Sequence, residues 1–298
     1  MSRTLSGNTD GIDLLIQRGL LPHPVSLEDY VAYQWESPGN VLGQRHGQKR
    51  DAVTLKWLGS AVRAAGDSSA VLDVGCSYGN HLFMLNGVLG KPDGVEMVGV
   101  DLFEPAIRRA NVFAQTIPGF SNCRFEVADV SAGLPFDDDT FDAINVADVL
   151  EHLVEPASAL HELRRVAKPG ATIVISTPLK NSIFKRIAVV ANRTLRGRLY
   201  GAYYRGKDTD LDREGRPVME TSAGHDHVSE MTLAQLTRLC GDAGLAVEEI
   251  EPMSVMSGSR WFDQHAVLLA GTLILETLHE KLRRPSWAHS AMLRARKI

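Results

Sequence analysis

The ten residues Val71-Leu72-Asp73-Val74-Gly75-Cys76-Ser77-Tyr78-Gly79-Asn80 decide how the rest of the chain is read. Apolar residues around a single acid predict a short buried strand. A tight turn with two glycines follows, and His81–Leu89 has the pattern of a helix start. Glycine in a strand-to-helix turn permits positive φ and lets a ligand approach bare backbone. A turn of this kind belongs at the carboxyl edge of a parallel sheet, where nucleotide-type ligands bind.

Outward from the turn, Ser69 to Pro178 alternates short apolar runs with helical patterns. Strands are expected at Val71–Val74, at Glu96–Val100 ending on Asp101, at Arg124–Val127 ending near Asp129, at Phe141–Val146 and at Ala171–Thr177. Helices are expected at Pro105–Thr116 and Pro156–Ala167, the second stopped by Lys168-Pro169-Gly170. Strand–helix alternation predicts right-handed βαβ units and a parallel sheet. The flanks differ. Residues 1–66 hold helical segments (Gly11–Arg18, Ser26–Trp35, Arg50–Ala65) and read as a helical N-terminal cap, with the main domain over 67–298. An insertion at about 179–226 interrupts the alternation and reads as a lid. Beyond it come a helix, Thr232–Ala243, closed by Gly244, and a strand, Ala246–Glu251. A long apolar helix, Gln264–Leu282, and a last strand, Ala288–Arg296, complete the chain.

Composition narrows the class of function. A net charge of −4 over 298 residues and a pI near 6.2 disfavour a general nucleic-acid binder. The three cysteines, Cys76, Cys123 and Cys240, are far apart and lack metal-ligand spacing, so neither a metal site nor a disulfide framework is expected. The polar start, Met1–Asp10, has no signal-peptide order, and no apolar run is long enough to span a bilayer. These features predict a soluble cytoplasmic protein.

The acids at the strand ends say which ligand. An acid ending the second strand, Asp101, suits a ribose diol. Asp129, after the third, suits an exocyclic amine of adenine, and Asp73 suits a positive group nearby. A Rossmann dehydrogenase fits poorly because the turn lacks G-x-G-x-x-G, and no Gly-Lys-Ser/Thr supports a P-loop.

These residues, in this order, resemble the class I S-adenosylmethionine-dependent methyltransferases of the small-molecule type. The resemblance rests on Val71–Gly79, Val98-Gly99-Val100-Asp101, Ala128-Asp129-Val130, Leu134-Pro135-Phe136 with Phe141-Asp142, Leu150-Glu151-His152, and Leu163 to Pro178. It implies an α/β fold with a seven-stranded, mostly parallel, Rossmann-like sheet whose final strand is antiparallel. It also implies S-adenosyl-L-methionine as cofactor. Asp73, Gly75 and Gly79 would form the cofactor turn, Asp101 would hold the ribose, and Asp129 with Val130 the adenine. Asn145, Val146 and Ala147 would line the methionine end. Ser77 stands where the family's middle glycine is usual, and its hydroxyl has a place on the amino-acid portion.

Methyl transfer asks the protein mainly for position and a dry site, with a base where the nucleophile must lose a proton. Histidine is the natural candidate at neutral pH. His152 follows the fourth strand, and His225 and His227 flank Asp226 where the insertion rejoins the core. Each also has a structural role open to it, His152 as a brace for the next helix and the pair as loop closure. Glu36 and His46, in the cap, are candidates for closing over the cofactor. Asp137-Asp138-Asp139 reads as a solvated turn. In the lid, the apolar residues Ile183, Phe184, Ile187, Val190 and Ala191 interleave with Lys185, Arg186, Arg193, Arg196 and Arg198. That pattern suits a lid helix over the core or contact with an anionic membrane surface through 183–198. Three functions follow: a methyltransferase acting on an oxygen of a small-molecule acceptor, a membrane-associated one acting on a quinone, polyprenyl or glycolipid precursor, or a silent S-adenosylmethionine-binding partner.

Overall fold

The computed structural model describes residues 41–90, 92–182, 210–211, 217–218, 228–255 and 265–298. The expected segments Gly11–Arg18 and Ser26–Trp35, Glu36, the basic stretch 183–198, His225 and His227 lie outside the described residues.

In chain order the elements begin with α1 (Val41–Ala65), β1 (Ala70–Val74), α2 (Asn80–Val88), β2 (Glu96–Asp101), α3 (Glu104–Thr116) and β3 (Cys123–Val127). There follow β4 (Phe141–Ala147), α4 (Pro156–Val166), β5 (Ala167–Pro178), and a two-residue pair β6 (Asp210–Leu211) and β7 (Pro217–Val218). Then come α5 (Leu233–Asp242), β8 (Leu245–Pro252), α6 (Ala266–Leu282) and β9 (Ser290–Lys297). The main sheet has seven strands in the order β3-β2-β1-β4-β5-β9-β8. Pairing is parallel from β3 to β5, and β9 runs antiparallel to both β5 and β8. The expected fold class is the observed one.

Strand parity builds the two cores. In β1, Leu72 and Val74 face the layer of α4 and α5 with Ile144 and Val146, while Val71 faces the layer of α1, α2 and α3 with Met97 and Ala143. All five β1 residues are buried, as expected of a strand covered on both faces. Fully burying such side chains stabilises by roughly 1.5–3 kcal/mol each. The expected helix Arg50–Ala65 is present and longer. Its stripe of Trp57, Leu58 and Val62, at helical spacing, packs into the same core as β1 and α2.

One local reading is corrected. Lys168-Pro169-Gly170 does follow the end of α4 at Val166, but it does not separate helix from strand. Ala167 already pairs with Phe141, and pairing resumes at Ala143 with Thr172, so the three residues bulge out within β5 with Gly170 at φ +80°. A bulge tolerates a proline that a regular ladder would not. The expected long apolar helix is present as α6, and it turns its polar residues inward: Thr272, Glu276 and His279 are its buried members.

One aromatic cluster secures the turn side of the sheet. Phe83 packs against Phe113, Phe120 and Phe125 with centroids 4.5, 5.4 and 5.2 Å away. The Phe125 ring lies against Gly99 so closely that a Cβ there would come within 2.4 Å of the ring and 2.8 Å of Cys76 Sγ. Gly99→Ala therefore costs roughly 1–3 kcal/mol by overpacking, seen as a lower urea midpoint at unchanged m-value.

Candidate active site

The turn between β1 and α2 is held from both sides. Gly75 and Cys76 donate their N–H groups to Val100 O at 2.8 and 3.0 Å, hanging the turn on the end of β2. Gly75 and Gly79 adopt φ of +71° and +82°. A side chain at 75 would also strike Val149, its Cβ 2.3 Å from Cγ2, so the segment after β4 abuts the turn. Ser77 keeps the left-handed conformation at φ +48°, a conformation that costs an L-residue about 1–2 kcal/mol. Its N–H donates to Asp101 Oδ2 at 2.8 Å, and Phe103 N–H donates to Asp101 Oδ1 at 2.8 Å. The Asp101 carboxylate is thus fixed by backbone, with acceptor capacity left on each oxygen for a diol. Asp129 follows β3, and its Oδ1 accepts Ser131 N–H at 2.8 Å, while Val130 is buried beneath it. Leu102 and Val127 offer exposed apolar surface beside Asp101 and Asp129.

Behind the turn lies a buried polar chain. Asp73 and Asn145 stand directly opposite in the β1–β4 register, and both point to the α1–α2 face. Asn145 Nδ2 donates to Asp73 Oδ1 at 2.7 Å and to His81 Nδ1 at 3.2 Å. The other ring nitrogen of His81 donates to Asp51 Oδ1 at 3.1 Å. Asp51 is 3.5 Å from Arg50 Nε, and Arg50 pairs with Asp148, whose Oδ1 accepts from Ser176 Oγ at 3.0 Å. Burial lifts the Asp73 carboxyl above the usual carboxylate range, against the pull of His81 and Asn145. Burial depresses His81, but its hydrogen bond to Asp51 and the charge of Asp73 outweigh this and raise it. Asp148 is also disfavoured by burial, yet Arg50 and His46 bring it below its ordinary value.

Two further groups border this chain. Glu151 is 1% exposed, and Thr177 Oγ1 donates to its Oε2 at 3.0 Å. His46 Nδ1 lies 2.5 Å from Ser254 Oγ, and burial holds its pKa down at about 4, so the ring is neutral at physiological pH.

The structure brings Asp73, Gly75, Ser77, Gly79, Asp101 and Asn145 to one place at the carboxyl edge, with Asp129, Val130 and Ala147 at the neighbouring strand ends. Asn145 is 0% exposed and braces Asp73 from behind. His152 is half-buried on a short 3₁₀ turn after β4. Sequence reasoning missed His81, Asp51, Arg50, Asp148 and Glu151 as members of the site. The signal for His81 was its place one residue beyond the turn, on the first turn of α2.

The donors and acceptors fit S-adenosylmethionine. Asp73 Oδ2 is buried without a hydrogen-bond partner among the described residues, an acceptor suited to a cationic group or its water. Asp101 suits the ribose hydroxyls. The exposed apolar surface of Leu102 suits a purine ring.

The chain is similar to known proteins in sequence and in fold. The sequence profile described as a methyltransferase domain matches residues 65–213. A relative named ubiquinone biosynthesis O-methyltransferase, from Thiobacillus denitrificans, is 27% identical over 227 residues, 75% of this chain and 83% of the relative. A ubiquinone/menaquinone biosynthesis C-methyltransferase from Geobacter sulfurreducens is 33% identical over 140 residues, 45% of this chain and 53% of the relative. Among solved structures, geranyl diphosphate C-methyltransferase from Streptomyces coelicolor A3(2) superposes with a TM-score of 0.53 at 16% identity, covering 84% of this chain and 76% of that one. The cyclase SpnF superposes at 0.51 with 20% identity, covering 84% and 81%, so the fold by itself does not fix the reaction. The profile match over 65–213 of the 298 residues, together with the cofactor-shaped turn, places the chain in the methyltransferase-domain family: it belongs to the class I S-adenosylmethionine-dependent methyltransferases and is an enzyme of that family.

Proposed function

We propose that this enzyme methylates a hydroxyl oxygen of a small aromatic acceptor of the quinone-precursor type. The observation that carries the choice of oxygen is the extent of likeness. The relative named as an O-methyltransferase matches along 75% of this chain, the one named as a C-methyltransferase along 45%. The solved complex of the Streptomyces coelicolor enzyme holds S-adenosyl-L-homocysteine, which supports the same cofactor class here.

When bound, the cofactor supplies a sulfonium methyl group open to in-line attack. The chain's own residues hold and align. In this reading the Asp101 carboxylate, fixed by Ser77 and Phe103, takes the ribose hydroxyls. Asp73, braced by Asn145, faces the cationic amino-acid end beside Gly75, Ser77 and Gly79. Asp129 and Val130 border the adenine, and Ala147 the methionine end.

A hydroxyl must shed its proton as the carbon–oxygen bond forms. In this reading Glu151, two residues on from the Val149 that abuts the Gly75 turn, takes that proton. Its burial, reinforced by the charge of Asp148, raises its carboxyl to about 8, a value suited to taking a proton near neutrality. His152, on the same 3₁₀ turn, and His225 and His227, outside the described residues, are the other candidate bases.

Asp101→Ala removes two charge-assisted contacts and weakens S-adenosylhomocysteine binding by roughly 10- to 100-fold in calorimetry; unchanged affinity sinks the ribose assignment. Glu151 also gives a pH signature. Its carboxyl titrates higher in the fold than in the unfolded chain, so the unfolded chain loses that proton first as pH rises. The associated stability is full below about pH 4.5 and drains away up to about pH 8. Glu151→Gln flattens that fall, by up to a few kcal/mol between pH 5 and 8 in urea unfolding. In turnover it lowers kcat more than it raises KM if Glu151 takes the proton, and an intact kcat excludes it as the base.

A further inference from the structure

Helix α6 is inside out. From Ala266 to Leu278 its one charged side chain, Glu276, is buried, and so are Thr272 and His279 on the same face. Glu276 accepts the N–H of Val255 at 2.8 Å, and His279 Nε2 donates to Met253 O at 2.5 Å. The hydrophobic side chains look outward: Val267 is 85% exposed and Ile274 62%, with Leu268, Leu278 and Leu282 also exposed. A helix packed on a globular core ordinarily shows the reverse arrangement.

The outward face runs about 25 Å along the helix and is about 10 Å wide, or roughly 250 Å² in projection. A standard interface between two protein copies needs about 800 Å² per partner, so this face alone is too small for a stable pair. Nor is any described helix long and apolar enough to cross a membrane. It does have the shape and composition for lying in a lipid interface. At its C-terminal end the apolar face meets Lys281 and Arg284, both exposed, while Glu280 is bonded to Arg45 and Arg283 to Glu251. Cations at the edge of an apolar face complement anionic headgroups. The whole chain carries −4, so that complementarity is local to this edge.

The opposite, buried face of α6 leads toward the active site. Met253–Val255, gripped by Glu276 and His279, includes Ser254, the partner of His46 on α1. One turn further along α1, Arg50 pairs with Asp148 at the end of β4. A single segment therefore separates α6 from the residues at the methyl-transfer end of the site.

We propose that the exposed apolar face of α6 is the surface by which this enzyme docks on an anionic lipid bilayer. That the acceptor itself arrives from the bilayer rests on the quinone-precursor reading above; the docking surface does not.

The test is flotation of the full chain with vesicles of phosphatidylcholine alone and of phosphatidylcholine doped with phosphatidylglycerol. Wild-type protein floats with the doped vesicles. Ile274→Glu with Leu278→Glu lowers the bound fraction by roughly tenfold or more, because two inserted side chains are lost. Lys281→Gln with Arg284→Gln removes the preference for the anionic vesicles. Both variants keep wild-type S-adenosylhomocysteine affinity, which shows that they are folded. No flotation of the wild type overturns the proposal, as does equal flotation of the Glu variant. Concentration-dependent self-association that the Glu variant abolishes, without vesicle binding, would assign the face to a second copy and overturn it too. Vesicle binding combined with no turnover of a hydroxylated quinone precursor would leave the surface standing and refute the acceptor reading.

Discussion

The hydrogen bond from Asn145 Nδ2 to Asp73 Oδ1 crosses the middle of the sheet, and the site is arranged around it. A carboxyl that is 1% exposed is expensive, since burial costs an unpaired charge several kcal/mol. Asp73 offsets part of that cost through Asn145 on the adjacent strand, which in turn fixes His81, and through it Asp51 on α1. One oxygen of Asp73 is still left over. A packed apolar pair at these two positions would make the sheet more stable. An acid kept there against that gradient is what a site for a cationic ligand requires.

The turn repeats the logic in its backbone. Ser77 accepts a left-handed conformation that glycine would take without strain, and the Asp101 carboxylate anchors its N–H. Asp101 thereby holds the turn closed and keeps acceptor capacity on both oxygens. The serine in place of a glycine alters the local cost and preserves the shape.

Much of this was legible in the sequence, for physical reasons. The strands β1, β2, β4 and β5 show as apolar runs because both sheet faces are covered, β3 alternates at the sheet edge, and the acids at the strand ends mark the carboxyl edge. Helix α5 was bounded by its own chemistry, with Thr232 and Gln235 forming a reciprocal cap and Gly244 ending it. What was not legible depends on contacts far apart in the chain. Arg50 and Asp148 are 98 residues apart, and His46 and Ser254 are 208 apart, so no local pattern announces either pair. The Lys168-Pro169-Gly170 bulge was hidden because a terminator and a bulge use the same residues. The inversion of α6 was written at Thr272, Glu276 and His279, spaced by four and three, but the abundance of leucine around them concealed which face was which.

The claim on which the account rests is that Asp73 is retained for the cofactor's positive charge and not for the fold. Asp73→Asn keeps the shape and removes the charge, so isothermal titration with S-adenosylmethionine tests it directly. The account predicts affinity weakened by about tenfold or more, with thermal stability equal to or above that of the wild type. Unchanged affinity, or loss of the fold on this isosteric exchange, would contradict it.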